Sequence, residues 1–412
     1  MRRRIISIVI IIAALTTVYV VKSAFTHISN PFLTTEQNSI NTSKISPQRL
    51  FDHSWQVIRN EYYDPNFNDQ YWMRWKRHYS GKIKTTDDAK VAIDTMLASL
   101  NDPYSRFLTK EEFAEQNSSI TSKFTGIGVN IINDSGKIRI ISVLENTPAQ
   151  FADIKVGDII ISVDDKKVSG MSLAEVSNLV KGPVNTFVDI NILRDDEIIN
   201  KKIIRKEISI KTVKSSVMDD VGYIQILSFI SNSTPNEFLE ALENTDETKG
   251  LIIDLRGNTG GLLPNAVFIS NLFLENGKRI VSIVGRNGYH YDVIAEDNNV
   301  DIEKPVVLLV DGSSASASEI FSGALKDYNR AKIVGKKTYG KGMVQKIISM
   351  PNETGLNLTV AKYLTPNGSD INKHGISPDF EEDITREDII QKKDPQLEKA
   401  KDILKDLLIS NK

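Results

Sequence analysis

The sequence predicts a mixed α/β (α+β) chain of several domains, and three observations carry that expectation. Apolar residues recur at helical spacing between Leu50 and Phe113, and short β-branched runs alternate with turns between Lys123 and Glu207. Three apolar runs of buried-strand type then follow at 251–255, 304–310 and 331–335. With 412 residues the chain has room for two or three domains. Lys and Arg number 51 against 53 Asp and Glu, a net charge of −2, so there is no global attraction to nucleic acid. The absence of cysteine removes thiolate catalysis, disulfides and Cys-ligated metals. The five histidines (His27, His53, His78, His290, His374) lie far apart with no H-x-x-x-H pair, so neither a metal nor another cofactor is expected.

Residues 1–24 read as a membrane anchor or signal. Arg2, Arg3 and Arg4 precede a 17-residue apolar run, Ile5 to Val21, broken only by Ser7, Thr16 and Thr17. That length fits a short membrane span or a long signal-peptide core. Lys22-Ser23-Ala24 puts a lysine where cleavage after Ala24 needs a small residue, which favours an uncleaved anchor. Three arginines before the run and Lys22 alone after it predict a single-pass protein of the cell membrane, with residues 23–412 outside. Signal cleavage would instead leave a secreted or periplasmic protein. Residues 25–47, rich in Ser, Thr, Asn and Gln, read as a flexible linker. Over 48–115 a helical region is expected. Its apolar positions are Leu50, Trp55, Ile58 and Tyr62, then Val91, Ile93, Met96, Leu97 and Leu100. Asn101-Asp102-Pro103-Tyr104-Ser105 signals a turn, and Thr109 with Glu112 has capping-box spacing.

Residues 123–208 read as a small β-rich domain. Gly126-Ile127-Gly128-Val129 opens it, Asn133-Asp134-Ser135-Gly136 is a hairpin turn, Ile138 to Leu144 a strand, and Ser172 to Lys181 a helical patch. Two glycines let the backbone amides of the opening loop converge on a carboxylate; the plain alternative is a tight turn. Together with Val156-Gly157-Asp158-Ile159-Ile160 downstream, these residues resemble a PDZ domain. That resemblance implies peptide C-terminus binding by Gly126, Ile127, Gly128 and Val129 and pairing of the adjacent strand edge with the peptide.

The core is expected over 212–380. The apolar run Leu251-Ile252-Ile253-Asp254-Leu255 ends in Arg256-Gly257-Asn258-Thr259-Gly260-Gly261, where a sheet can present amides to a ligand or simply turn. A phosphate loop is disfavoured because its G-x-x-x-x-G-K-[ST] spacing is absent. The run Lys304 to Val310 passes through Asp311-Gly312-Ser313-Ser314-Ala315-Ser316-Ala317-Ser318-Glu319 into a helix with Ile320, Phe321, Ala324, Leu325 and Tyr328 on its apolar face. Serines at such a turn are either N-caps or, for one of them, a nucleophile among unpaired backbone donors. A nucleophile needs a base. His374 is a weak candidate, whereas Lys341 is bracketed by Gly340 and Gly342, which would let the amine tuck inward. Lysine works as a base only if burial or a neighbouring cation lowers its pKa, and a surface lysine in a hairpin is the alternative. Gln345 offers an amide oxygen to orient the amine.

Taken together, Ser314-Ala315-Ser316-Ala317-Ser318-Glu319, Gly340-Lys341-Gly342-Met343-Val344-Gln345 and His374-Gly375-Ile376-Ser377-Pro378-Asp379 resemble the C-terminal processing, or tail-specific, serine peptidases with a Ser-Lys dyad. The likeness runs over about residues 50–405, ending in an acidic helical tail at 381–412. It implies an α/β protease core of stacked sheet and helices, with Ser316 as nucleophile, Lys341 as general base and Gln345 as its orienting partner. The implied oxyanion hole is the Ala317 N–H plus that of Gly260 or Gly261, a choice left open. The implied substrates are proteins or peptides with unstructured C-terminal tails, cut near their C-termini. Membrane contact is expected through residues 5–21, and the oligomeric state is left open. Asp327, a position discussed in that family, lies 11 residues beyond Ser316, roughly 16 Å along a helix, and is expected to be structural.

Overall fold

The three apolar runs of the core are neighbouring parallel strands of one sheet in the computed structural model, which describes residues 40–121, 123–297 and 302–410. The sheet order is Val213–Met218, Val221–Ile226, Gly250–Asp254, Val306–Val310, Ala331–Gly335, Phe380–Glu381; the first pair is antiparallel and the others parallel. Such strands are covered on both faces, which is why they read as unbroken apolar runs. On one face Leu251, Ile253, Leu308 and Val310 share a core with Phe238, Ala266 and Phe321. These last three stand on helices Thr234–Asn244, Leu263–Asn271 and Ala317–Asp327. On the other face Ile252, Val307, Leu309 and Val334 meet Ala400, Ile403 and Leu404 of helix Pro395–Ser410. The tail expected over 381–412 thus supplies a layer of the core. Uncovering four buried aliphatic side chains costs about 1.5–3 kcal/mol each, comparable with the whole net stability of a typical domain.

A second sheet carries the hairpin Met343–Met350 and Thr354–Leu364. Arg106–Leu108 and Arg279–Gly285 pair with the second of these strands, and His290–Ile294 lies outermost. Helices Pro47–Glu61 and Thr86–Ala98 bury Leu50, Phe51, Trp55, Ile58, Ile93 and Met96 against Leu356, Leu358 and Val360 of the hairpin. Three details differ from the sequence-based expectation. Residues 48–115 contain the strand Arg106–Leu108, three residues being too few to show a period. Val91, placed on the apolar face, is exposed. The described end of the linker is docked: Asn41 N–H donates to Ser349 Oγ (2.8 Å), Ile45 N–H to Asn352 Oδ1 (2.9 Å) and Glu353 N–H to Asn41 O (3.0 Å). The apolar run 5–21 and the rest of the linker lie outside the described residues. Among those described, no helix is long and apolar enough to cross a membrane.

These elements make up one compact unit, from residues up to 117 and from 211 onward; residues 118–210 form a second. The second unit is an antiparallel sheet ordered Val129–Asp134, Lys137–Val143, Ile159–Val163, Phe187–Arg194, Glu197–Ile204. The helix Leu173–Val180, capped by Ser172 and Glu175, adds Val176 to a core of Ile127, Ile138, Ile140, Ile160, Val188 and Ile190. The hairpin turn expected at 133–136 is present. Ser135 and Gly136 take φ of 54° and 86°, and Asn133 Oδ1 accepts from Gly136 N–H (2.8 Å).

Candidate active site

Three successive parallel strands, Gly250–Asp254, Val306–Val310 and Ala331–Gly335, deliver the loops 255–261, 311–316 and 336–342 to one edge of the sheet. The crevice beyond the carboxyl ends of such strands is where open α/β sheets bind ligands.

Ser316 precedes helix Ala317–Asp327 with φ 55° and ψ −112°. A side chain held there costs about 1–3 kcal/mol, so something must hold the turn. The neighbouring serines are committed elsewhere. Ser314 Oγ donates to Leu255 O (2.8 Å) and Ser318 Oγ to Asn258 O (2.9 Å), both fully buried, stitching this turn to the glycine loop. Ser313 is exposed and Ser316 half-buried. What holds the turn is Glu319, which is completely buried. One carboxylate oxygen accepts from Ser316 N–H (2.8 Å) and Lys341 N–H (2.8 Å), the other from Gly340 N–H (2.7 Å) and Thr338 Oγ1 (2.6 Å). Hydrogen bonds to a charged acceptor contribute about 1.5–3 kcal/mol each, enough to outweigh the strain at Ser316. From the sequence alone Glu319 carries no role at the site. Its signal was the Ser-x-x-Glu spacing from Ser316, the same capping pattern that correctly paired Thr109 with Glu112.

Lys341 is half-buried, with its amine 4.9 Å from the centre of the Tyr104 ring. Burial pushes its pKa below the usual lysine value. Asp102 opposes that shift, the Arg106 guanidinium adds to it, and Glu319 opposes it. The loop bearing these neighbours is fixed: Asp102 accepts from Tyr104 N–H (3.0 Å) and Ser105 Oγ (2.6 Å), and Ser105 Oγ accepts from Thr359 N–H (3.0 Å). In the sequence, Tyr104 and Asp102 read only as part of a turn. Gln345 follows a register shift in the strand Met343–Met350, and its amide nitrogen donates to Met343 O (3.3 Å) and Thr359 Oγ1 (3.4 Å). Among the described residues no hydrogen bond joins Gln345 to Lys341.

The glycine loop abuts the Ser316 turn. A Cβ on Gly260 would stand 2.9 Å from Ser316 Cβ and 3.0 Å from Ala317 N, and one on Gly261 would stand 2.2 Å from the Phe229–Ile230 backbone. Asn258, fully buried, accepts from Gly260 N–H (2.9 Å) and donates to Ile226 O (2.7 Å). Among the described residues the N–H groups of Gly261 and Ala317 meet no acceptor. Arg256 ties the start of this loop to the covering helix, through Asp254 (2.7 Å) and Asp394 (2.8 Å). Asp327, at the far end of its helix, accepts from Asn367 N–H (2.8 Å), and His374 is exposed.

In the second unit the carbonyls of Ile127 and Gly128 accept from Ala149 N–H (2.8 Å) and Leu144 N–H (2.9 Å). Gly128 has φ 89°, and a Cβ there would overlap the Thr147 side chain at 2.4 Å. Val129–Asp134 is an edge strand, with helix Leu173–Val180 beside it.

A serine on a strained strand-to-helix turn, a half-buried lysine and a glycine loop thus meet at one edge of the sheet. Residues 220–382 match Peptidase family S41 and residues 125–204 a PDZ domain. The carboxy-terminal-processing protease of Bartonella bacilliformis is 37% identical over 312 residues, covering 72% of this chain and 71% of that one. A probable CtpA-like serine protease of Staphylococcus aureus is 34% identical over 364 residues, 87% of this chain and 69% of the relative. The solved photosystem II D1 C-terminal processing protease superposes with a TM-score of 0.54 at 32% identity, covering 82% of this chain and 94% of that chain. The chain belongs to peptidase family S41, the carboxy-terminal-processing serine peptidases, and carries their PDZ domain.

Proposed function

We infer that Ser316 and Lys341 are the catalytic dyad of an endopeptidase that cuts proteins near their C-termini. The observation that carries this is Glu319, one buried carboxylate holding the backbone N–H of both residues. Neutral Lys341 takes the Ser316 proton, and the alkoxide attacks the scissile carbonyl. The protonated amine then gives its proton to the departing amine, and water releases the acyl group. Lowering of the Lys341 pKa by burial raises its neutral fraction, and Gln345 Oε1 is the acceptor we assign to the amine N–H. Ala317 N–H supports the tetrahedral oxyanion. Engagement of Gly260 N–H by Asn258 favours Gly261 as the second donor. Gly126, Ile127, Gly128 and Val129 capture the substrate's terminal carboxylate, with the tail added as a strand along Val129–Asp134. Residues 5–21 anchor the enzyme, with the remainder extracytoplasmic.

The test uses the full chain in detergent and an unfolded reporter with an apolar C-terminal tail. Ser316→Ala and Lys341→Ala are expected inactive while folded, Ser318→Ala active, and amidation of the reporter's C-terminus is expected to slow cleavage. Cleavage by Ser316→Ala would overturn the nucleophile assignment; tail binding without cleavage by the wild type would leave a peptide-binding scaffold. Resistance of the chain to alkaline extraction from membranes, with residues beyond 23 open to external protease, is the expected result for the anchor.

A further inference from the structure

Ser316 and Lys341 come from different loops, and two buried side chains touch both. Glu319 takes their N–H groups. Their carbonyls go to Tyr363, whose hydroxyl lies 3.1 Å from Ser316 O and 2.5 Å from Lys341 O. Tyr363 stands on the strand Thr354–Leu364, fully buried in the apolar cluster that also holds Ala317, Ile371 and Ile376. Burial, aided by the Glu319 carboxylate, pushes its phenol well above the ordinary value, so it stays a donor. Each of the two residues is therefore fastened at both ends of its backbone, N–H to Glu319 and C=O to Tyr363. Ser316 O also accepts from Glu319 N–H (2.8 Å) and Ile320 N–H (3.0 Å), so removing the phenolic proton breaks the link between the two loops and takes from Lys341 O the donor it has among the described residues.

We propose that Tyr363 is a positioning residue for peptide cleavage: its hydroxyl, held between the carbonyls of Ser316 and Lys341, fixes the nucleophile turn against the lysine loop. The proposal rests on the reading of Ser316 and Lys341 as nucleophile and base. Tyr363 touches neither substrate nor reacting atoms, so its effect falls on the alignment of the dyad and hence on kcat rather than on substrate capture. Glu319 alone leaves Lys341 free to pivot about its N–H, whereas the Ser316 carbonyl is also held by its own helix. A second bond at the carbonyl removes that freedom, and a shift near 1 Å in such a pair costs on the order of 100-fold in rate.

The experiment compares full-length wild type with Tyr363→Phe, counting working sites by end-point labelling with a fluorophosphonate. The expected result is a fall of roughly 10- to 100-fold in kcat per labelled site, with KM within about twofold and the labelling rate constant falling in parallel. A purely structural role would lower the number of labelled sites and leave kcat per site unchanged, and that result overturns the proposal. A variant carrying 4-aminophenylalanine at position 363 restores donors to both carbonyls and is expected to recover most of kcat. A folded 4-aminophenylalanine enzyme without kcat overturns the proposal too, and this variant decides the matter if Tyr363→Phe yields no folded protein. Ser316→Ala and Lys341→Ala run alongside: activity in either sinks the dyad itself. Their inactivity together with wild-type kcat per site in Tyr363→Phe sinks the positioning role alone.

Discussion

The loop Gly126–Val129 and the turn at Ser316 use similar materials, small residues leading into a regular element, and treat their backbones in opposite ways. In the first, the carbonyls of Ile127 and Gly128 are tied inward while the strand beyond them keeps an unpaired edge. In the second, Ser316 and Lys341 are each bonded at N–H and at C=O to side chains that are completely buried or nearly so. A site that reads a peptide through its backbone works by leaving groups unpaired and tolerates many sequences. A site that moves a proton between side chains from different strands needs both fixed.

The comparison breaks most easily at the fixed site. Ser316→Ala or Lys341→Ala is expected to lower kcat at least about 1000-fold, as loss of a member of a catalytic pair does elsewhere. Glu319→Gln turns one acceptor oxygen into an N–H₂ group facing donors, so a fall of roughly 100-fold in kcat is expected. A melting curve should show a loss of stability in the same variant. At the open site the effect is smaller and of another kind. Gly128→Ala must carry a side chain at φ 89° against Thr147, a strain of about 1–2 kcal/mol. KM for a tailed reporter should rise roughly tenfold, while a short tail-less peptide is cut at the wild-type rate. The smallest effects are shifts in pH dependence. On the dyad reading neutral Lys341 is the working form, so activity is expected to rise with pH through its pKa. Asp102→Asn removes a charge that stabilises the protonated amine and moves the acid limb of the profile to lower pH. Arg106→Ala removes one that destabilises it and moves the limb to higher pH. Movement of both limbs in one direction would break this account.

What the sequence disclosed and what it hid divide along the distance between interacting residues. The buried strands, the helix after Ser316, the hairpin at 133–136 and the capping of Thr109 by Glu112 depend on neighbours a few positions apart, so their periods and spacings were readable. Ser316 and Lys341 were singled out by the likeness of their motifs to the family, since serines at a helix start and a lysine between glycines fit a cap and a surface hairpin as well. Tyr363 and Tyr104 did not stand out. Each is one aromatic in an ordinary segment, and its role exists only once strand Thr354–Leu364 or the loop after residue 100 is laid over a loop far away in sequence. The same holds for Arg256, whose partner Asp394 is 138 positions on. The contacts of the Gln345 amide nitrogen to Met343 O and Thr359 Oγ1, beside a register shift in its strand, were likewise not legible from local spacing. Glu319 lies between these cases: the spacing was visible, and its reach to Lys341 was not.

Helix Pro395–Ser410 covers one face of the catalytic sheet, and it is joined to the strand Phe380–Glu381 by a stretch whose residues 385–393 are mostly exposed, Ile389 and Ile390 among them. For an endopeptidase this is a point of self-inflicted risk. One cut in that stretch would make the covering helix a separate molecule, kept in place by apolar contact, the Arg256–Asp394 pair and the bonds of Gln396 to Arg256 and Glu382 O. Dilution would then work against retention, where no dilution could act before. Exposure of these few residues to neighbouring copies would then matter to the persistence of the fold as much as the depth of its core.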